Sequence, residues 1–362
     1  MNATQEGVTK SKFRDERLDT FRGFAMIWVV FNHCLFWMGF FHGSIFKTYL
    51  LIGTQLFFVI AGASNGMASK KPLLKFYLIR FKRILFPYWF YAALCLIITF
   101  LVSSPSTDIS EAIANWFLYF NPWPCKPNIL MWALWFVPVY LLVMAIFPFL
   151  RSYYEHFLTS LLRFAPFVIF ATLLVLLQCK IIPFSGNMMH FSKQLVSYGF
   201  FTYLGLFFTS FMQLKKYQIR NAILIVLSCA AIVVVSILFF DVSPSMQKNK
   251  FPSTFIFLAF SVGLLCILYI FSNYIIRAVN FCKRNSVFAW MYAQYTKHGL
   301  TIFLFHPLVF LLLIKIPRSI FEGYNEWLVF TIITILAITL SSCVGYLFAW
   351  VEKLAQISLR KK

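Results

Sequence analysis

The chain's 362 residues are 61% hydrophobic and 20% aromatic but only 12% charged, and apolar stretches near twenty residues recur from end to end. No soluble domain of this size carries that pattern, so the fold class is all-α, a polytopic transmembrane helical bundle. A net charge of +21 would point to nucleic acid in a soluble protein. In a membrane protein it reads as orientation by cytoplasmic Lys and Arg, and the expected partners are membrane lipids with no nucleic acid.

In chain order, ten spans are expected, at 20–41, 46–69, 86–103, 130–150, 160–178, 195–213, 221–240, 253–273, 299–317 and 328–350. They make one membrane domain over 17–352, between an N-terminal tail at 1–16 and a basic C-terminal tail at 353–362. With both termini in the cytoplasm, 24 Lys and Arg lie on that side and 8 outside, Lys47, Lys180, Lys193 and Lys250 among the latter. This bias supports the orientation. The first apolar segment follows a basic stretch, as in a signal peptide, but it is too long for one and no small-residue cleavage site follows it.

Span 1 places a histidine, His33, well inside an apolar helix. The eleven steps from Arg22 to His33 cover about 16 Å of helix and end only about 20° past three full turns, so both side chains share a face. An ionisable group at that depth is costly and marks a functional site, unless a neighbouring carbonyl merely satisfies it. Arg22 has two readings. It is either a snorkelling anchor paired with Asp19 at i−3, or an inward-facing group that holds a phosphate or orients a donor. In span 2, Gly53, Ala61, Gly62, Ala63 and Gly66 suit close helix packing, with Gln55 and Ser64 as polar lining.

Residues 70–88 alternate basic and bulky apolar side chains, the pattern of an amphipathic helix on the cytoplasmic surface. Arg80 and Arg83 share a face there, with Lys82 beside them. That cluster suits anionic lipid headgroups and the phosphates of a cytosolic ligand equally. The outer segment 104–128 is polar and then proline-rich, with partial re-entry into the interface expected, and Trp132 to Pro138 is an aromatic belt leading into a proline-kinked span.

Span 9 carries a second deep histidine, His306. The following Pro307 frees a carbonyl that His306 can bond, which leaves both a catalytic and a structural reading open. Asp15, Glu16 and Asp19 cluster at the N-terminal entry, and the other carboxylates fall in loops, tails or span edges. Paired-carboxylate hydrolysis and proton transport through a buried acid therefore lose ground, and the histidines remain as bases near neutral pH. The eight cysteines show no metal-ligand spacing, and no metal is expected. Cys34, Cys95, Cys229, Cys266 and Cys343 read as small core residues, while Cys125 and Cys179, both on the outer side, are left as a possible pair. No internal repeat supports a transporter.

Taken together, these segments resemble the acyltransferase 3 family of integral membrane acyltransferases. The first-span pattern matches Leu18, Asp19, Arg22, Gly23 and His33, and the second-span pattern matches Leu56 to Gly62. The basic helix ending in Pro-Tyr matches Arg80, Arg83, Pro87 and Tyr88. Leu134, Trp135 and Phe136 match one subgroup, and the late His-Pro matches His306 and Pro307. Ala61-Gly62 stands where many members have Ser-Gly, and the Trp132-Ala-Leu run lacks the carboxylate of another subgroup.

The resemblance implies ten spans in a bacterial inner membrane. It also implies transfer of an acyl group, usually acetyl from acetyl-CoA, to a sugar hydroxyl of a glycan or glycolipid acceptor. Acyl-CoA would be a donor substrate, with no tightly bound cofactor. Functional roles carry onto Arg22, His33, Arg80 and Arg83, and the sequence reading adds His306 and Lys82. The rival reading is an exporter that moves a glycan or lipid intermediate without chemistry. The oligomeric state is not specified.

Overall fold

A computed structural model describes residues 16–102, 113, 129–131, 134–208 and 216–360. Among them every regular element is a helix. The helices are α1 (Glu16–Trp37), α2 (Gly53–Met67), α3 (Leu73–Val102), α4 (Phe136–His156), α5 (Ala165–Gln178), α6 (Gly186–Gly205) and α7 (Lys216–Phe239). The short α8 (Met246–Lys250) follows, then α9 (Phe255–Ile270), α10 (Ser272–Cys282), α11 (Ser286–Lys297), α12 (Gly299–Ile314), α13 (Glu326–Leu347) and α14 (Ala349–Arg360).

Among the described residues, six helices are long and apolar enough to cross a membrane, and up to eight spans result if each of two bent pairs is one span. The chain is thus an integral membrane protein, with six to eight such spans where ten were expected. The two remaining expected spans are α1 and α6. At 22 and 20 residues they reach about 33 and 30 Å. Arg22, Asn32 and His33 in the one, and Lys193 and Gln194 in the other, dilute their apolar character.

The first helix is the hub. Ala25, Met26, Val30 and Cys34 are fully buried, and α1 packs on α2, α11, α12 and α13. The glycine after Arg22 has a specific reason. The Tyr292 ring of α11 lies so close that a Cβ on Gly23 would fall 2.7 Å from it, and the Tyr292 hydroxyl donates to the Thr20 carbonyl.

The small residues of α2 act as expected, by letting backbones meet. A Cβ on Gly62 would overlap the Thr202 carbonyl oxygen of α6, and one on Gly205 would overlap the Val59 carbonyl of α2. Neither obstacle is a flexible side chain, so the overlap cannot be relieved by a rotamer change. Gly62→Val should therefore cost at least the 1–3 kcal/mol typical of overpacking. The check is thermal unfolding in detergent, where the midpoint should drop by several degrees. An unchanged midpoint would mean the α2–α6 contact is looser than described.

The basic stretch expected as a surface helix is instead the first half of α3, which runs unbroken through Pro87 into the apolar half. The region between the expected eighth and ninth spans is also helical, as α10 and α11. A bend of 109° separates α11 from α12 at His298. Buried Glu352 of α14 holds that corner, accepting the Thr301 backbone N–H at 2.9 Å and its hydroxyl at 2.7 Å. A carboxylate at a helix N-terminus meets the exposed N–H groups and the positive dipole end. The expected re-entrant segment (apart from residue 113), Trp132 and Cys125 lie outside the described residues, and so does any Cys125–Cys179 pair. Cys34, Cys95 and Cys229 are buried as expected, Cys266 and Cys343 are partly buried, and Cys179 is exposed.

Candidate active site

A cavity of about 470 Å3 opens where α1, α2, α3, α4, α11 and α12 converge. That volume lies in the range of small-molecule pockets. Its charged lining is mostly cationic, with Arg22, Arg80, Arg83 and Lys297 alongside one carboxylate, Glu352. Phe57, Phe136 and Tyr140 supply an aromatic wall.

Each cation is placed by its helix. Arg22 projects from the first turns of α1, donating to Asp19 Oδ1 at 2.5 Å and to Ser64 Oγ of α2 at 2.8 Å. Arg22 thus pairs with Asp19 at i−3 and also lines the cavity. Arg80 and Arg83, three apart on α3, reach the same space, as one helix face must. Arg80 also lies over the Phe76 ring, 5.7 Å from its centroid. Lys82 is exposed on α3 and does not line the cavity. Gln55 bonds Ser261 Oγ of α9 at 2.9 Å, away from the cavity.

The two deep histidines meet each other. His33 Nδ1 lies 2.6 Å from His306 Nε2, with the ring planes within 6°. His306 Nδ1 sits 2.8 Å from the Phe303 carbonyl oxygen and 3.1 Å from that of Ile302. Pro307 has no N–H to give Phe303, so the freed carbonyl is bonded by the histidine instead.

These contacts fix the protons. Carbonyls only accept, so His306 Nδ1 carries a hydrogen, and in the neutral ring Nε2 is then an acceptor. His33 Nδ1 must donate to it, which leaves the lone pair of His33 on Nε2. Trp37, one turn along α1, stacks on the His33 ring at 3.8 Å and 7°. Such a chain can orient an imidazole as a general base or nucleophile without any carboxylate.

The histidine pair does not line the cationic cavity. Between them stands an aromatic layer, with Phe136 packed on Phe57 at 5.2 Å and on Phe303 at 4.7 Å, and Phe303 on His306 at 6.0 Å. Lys250 of α8 lies 4.9 Å from the centroid of the Phe251 ring and 5.7 Å from that of Trp135. Burial pulls the Lys250 ammonium down to about 8.

Ser64, Tyr140, Lys297 and Glu352 join the site without a role expected from sequence beyond the polar lining at Ser64. Lys297 and Glu352 belong to helices that fold back on the bundle, and only the Glu352 position, at the end of the last span, hinted at a boundary.

The helical bundle thus brings a half-buried and a fully buried histidine together near a cationic pocket. The family model described as acyltransferase domain matches residues 15–346, nearly the whole chain, and the protein belongs to this acyltransferase 3 family. Comparison with curated proteins and with solved structures gives no match.

Proposed function

We infer that this membrane acyltransferase moves an acetyl group from cytosolic acetyl-CoA to a hydroxyl of a glycan or glycolipid. The observation that carries the reading is the His33–His306 hydrogen bond anchored on the Phe303 carbonyl. His33 Nε2 takes the proton of the acceptor hydroxyl as that oxygen attacks the thioester carbon. The intermediate collapses, the C–S bond breaks, and the leaving thiolate takes the proton back from the imidazolium. His306 is the positioning residue, holding the tautomer and orientation of His33. The same Nε2 lone pair would serve an acyl relay, in which acetyl passes transiently through His33.

The donor's phosphates fit the cationic cavity, on Arg80 and Arg83 with Arg22 further in, on the cytoplasmic side expected from the Lys and Arg bias. The pantetheine arm then crosses the layer of Phe57, Phe136 and Phe303 to reach His33. Trp135 and Phe251, with Lys250 beside them, give a sugar ring a stacking face on the other side. Lys82, exposed on α3, retains at most a long-range attraction for the donor.

Arg83→Ala should raise the KM for acetyl-CoA about tenfold and leave kcat nearly unchanged, since it removes a phosphate contact far from the reacting carbon. Thiol release measured over a range of donor concentrations checks this. An unchanged KM would move the phosphates elsewhere. The reading as a whole is tested by purified protein in lipid nanodiscs given acetyl-labelled acetyl-CoA and a lipid-linked glycan extract. Label should enter the glycan fraction with equal thiol release. Movement of glycan across proteoliposomes without thiol release would favour an exporter.

A further inference from the structure

A second cavity, of about 230 Å3, adjoins the first and shares Asn65 and Arg80 with it. It lies between the turn after α2, the first turns of α3 and the end of α4. Its size falls below that of a pocket for a whole drug-sized ligand and suits one end of a larger molecule. Two features of its walls bear on what it holds.

The first is charge. Lys70, Lys71, Arg80 and Arg151 all line this cavity. Glu155 is paired there with Lys70 and with Arg151, the latter at 2.9 Å from Nε. Arg151 also donates from Nη1 to the Asn65 carbonyl at 3.0 Å, which ties the wall of one cavity to the other. One carboxylate against four cations leaves the pocket positive.

The second feature is a pair of rings. Phe76 and Phe147 lie 6.3 Å apart with planes within 19°, and the Arg80 guanidinium sits over Phe76. Flat apolar faces beside cations are what a nucleobase with an attached phosphate requires.

Coenzyme A carries two separate anionic groups on one adenosine, the 5′-diphosphate and the ribose 3′-phosphate. Two cationic cavities sharing Arg80 match that arrangement. Resting on the donor reading above, we propose that the second cavity is the subsite for the nucleotide end of the donor. Lys71 binds the 3′-phosphate while Lys70 stays paired with Glu155, the Phe76 face, backed by buried Phe147, holds the adenine, and Arg80 bridges to the diphosphate.

The test is calorimetric titration of the full-length protein in nanodiscs with coenzyme A and with 3′-dephospho-coenzyme A. Coenzyme A should bind about tenfold tighter, as loss of one charge-assisted contact at a partly exposed site implies. Lys71→Ala should erase that preference and leave the affinity for 3′-dephospho-coenzyme A unchanged, whereas Arg83→Ala should weaken both ligands alike. Equal affinity of the wild type for the two ligands, or a Lys71→Ala effect on both, would overturn the subsite while leaving the donor reading standing. Binding of neither ligand by folded protein would overturn the donor reading itself. Co-purified acidic phospholipid, counted by mass spectrometry, should not change in Lys71→Ala. Its loss alongside an unchanged coenzyme A preference would make the cavity a lipid headgroup site and overturn the proposal.

Discussion

Replacing His33 with alanine should lower kcat for acetyl transfer by about 10²–10⁴, the range supplied by a positioned general base. The donor KM should stay near the wild-type value, because the cations proposed to hold the donor's phosphates line a separate cavity that His33 does not line. The protein should remain folded, since the ring is only half-buried and its helix keeps Ala25, Met26, Val30 and Cys34 in the core. Thiol release and acetyl incorporation, measured on protein with a wild-type elution profile, check the prediction. A variant with wild-type kcat would remove His33 from the chemistry.

The second large effect concerns His306. In His306→Ala the His33 Nδ1–H loses its acceptor, the tautomer is no longer fixed, and the Phe303 carbonyl loses the donor that replaces the missing Pro307 N–H. We expect kcat to fall about 10²-fold, with about 1–3 kcal/mol of stability lost through the orphaned carbonyl. Glutamine can accept from His33 through its side-chain oxygen, so His306→Gln should recover most of kcat. Rescue by glutamine at a constant donor KM identifies a positioning residue. A purely structural role predicts instead that kcat follows thermal stability across the two variants, and an equal loss in both would contradict the tautomer argument.

Much of this site was legible in the sequence, for reasons that are local. Helical periodicity alone put Arg22 and His33 on one face, and it put Arg80 beside Arg83. Glycine and alanine spacing marked the face of α2 on which α6 lies, and the chemistry of proline marked the carbonyl that His306 takes up. What was not legible depends on contacts between distant segments. His33 and His306 stand 273 residues apart, and no spacing rule brings their nitrogens to 2.6 Å.

The shorter amphipathic helices α10 and α11 lack the length signal of a span, so their turn against the bundle, and with it Lys297 in the cavity wall, was hidden. The expected division between a surface helix at 70–88 and a span at 86–103 did not occur, because Pro87 costs one backbone bond that a long packed helix absorbs. The separation of cavity and histidines by Phe57, Phe136 and Phe303 was equally invisible. In a chain that is 20% aromatic, no single ring announces itself as a barrier.

Acetyl transfer to a glycan or glycolipid with His33 as base or acyl relay is what we propose. Its most direct test is mass spectrometry of glycans from cells lacking the gene, complemented with the wild type or with His33→Ala at matched protein levels. The account predicts that the acetyl mass is absent without the gene, returns with the wild type and stays absent with His33→Ala. Acetylated glycans that persist without the gene, or return in full with His33→Ala, would contradict it.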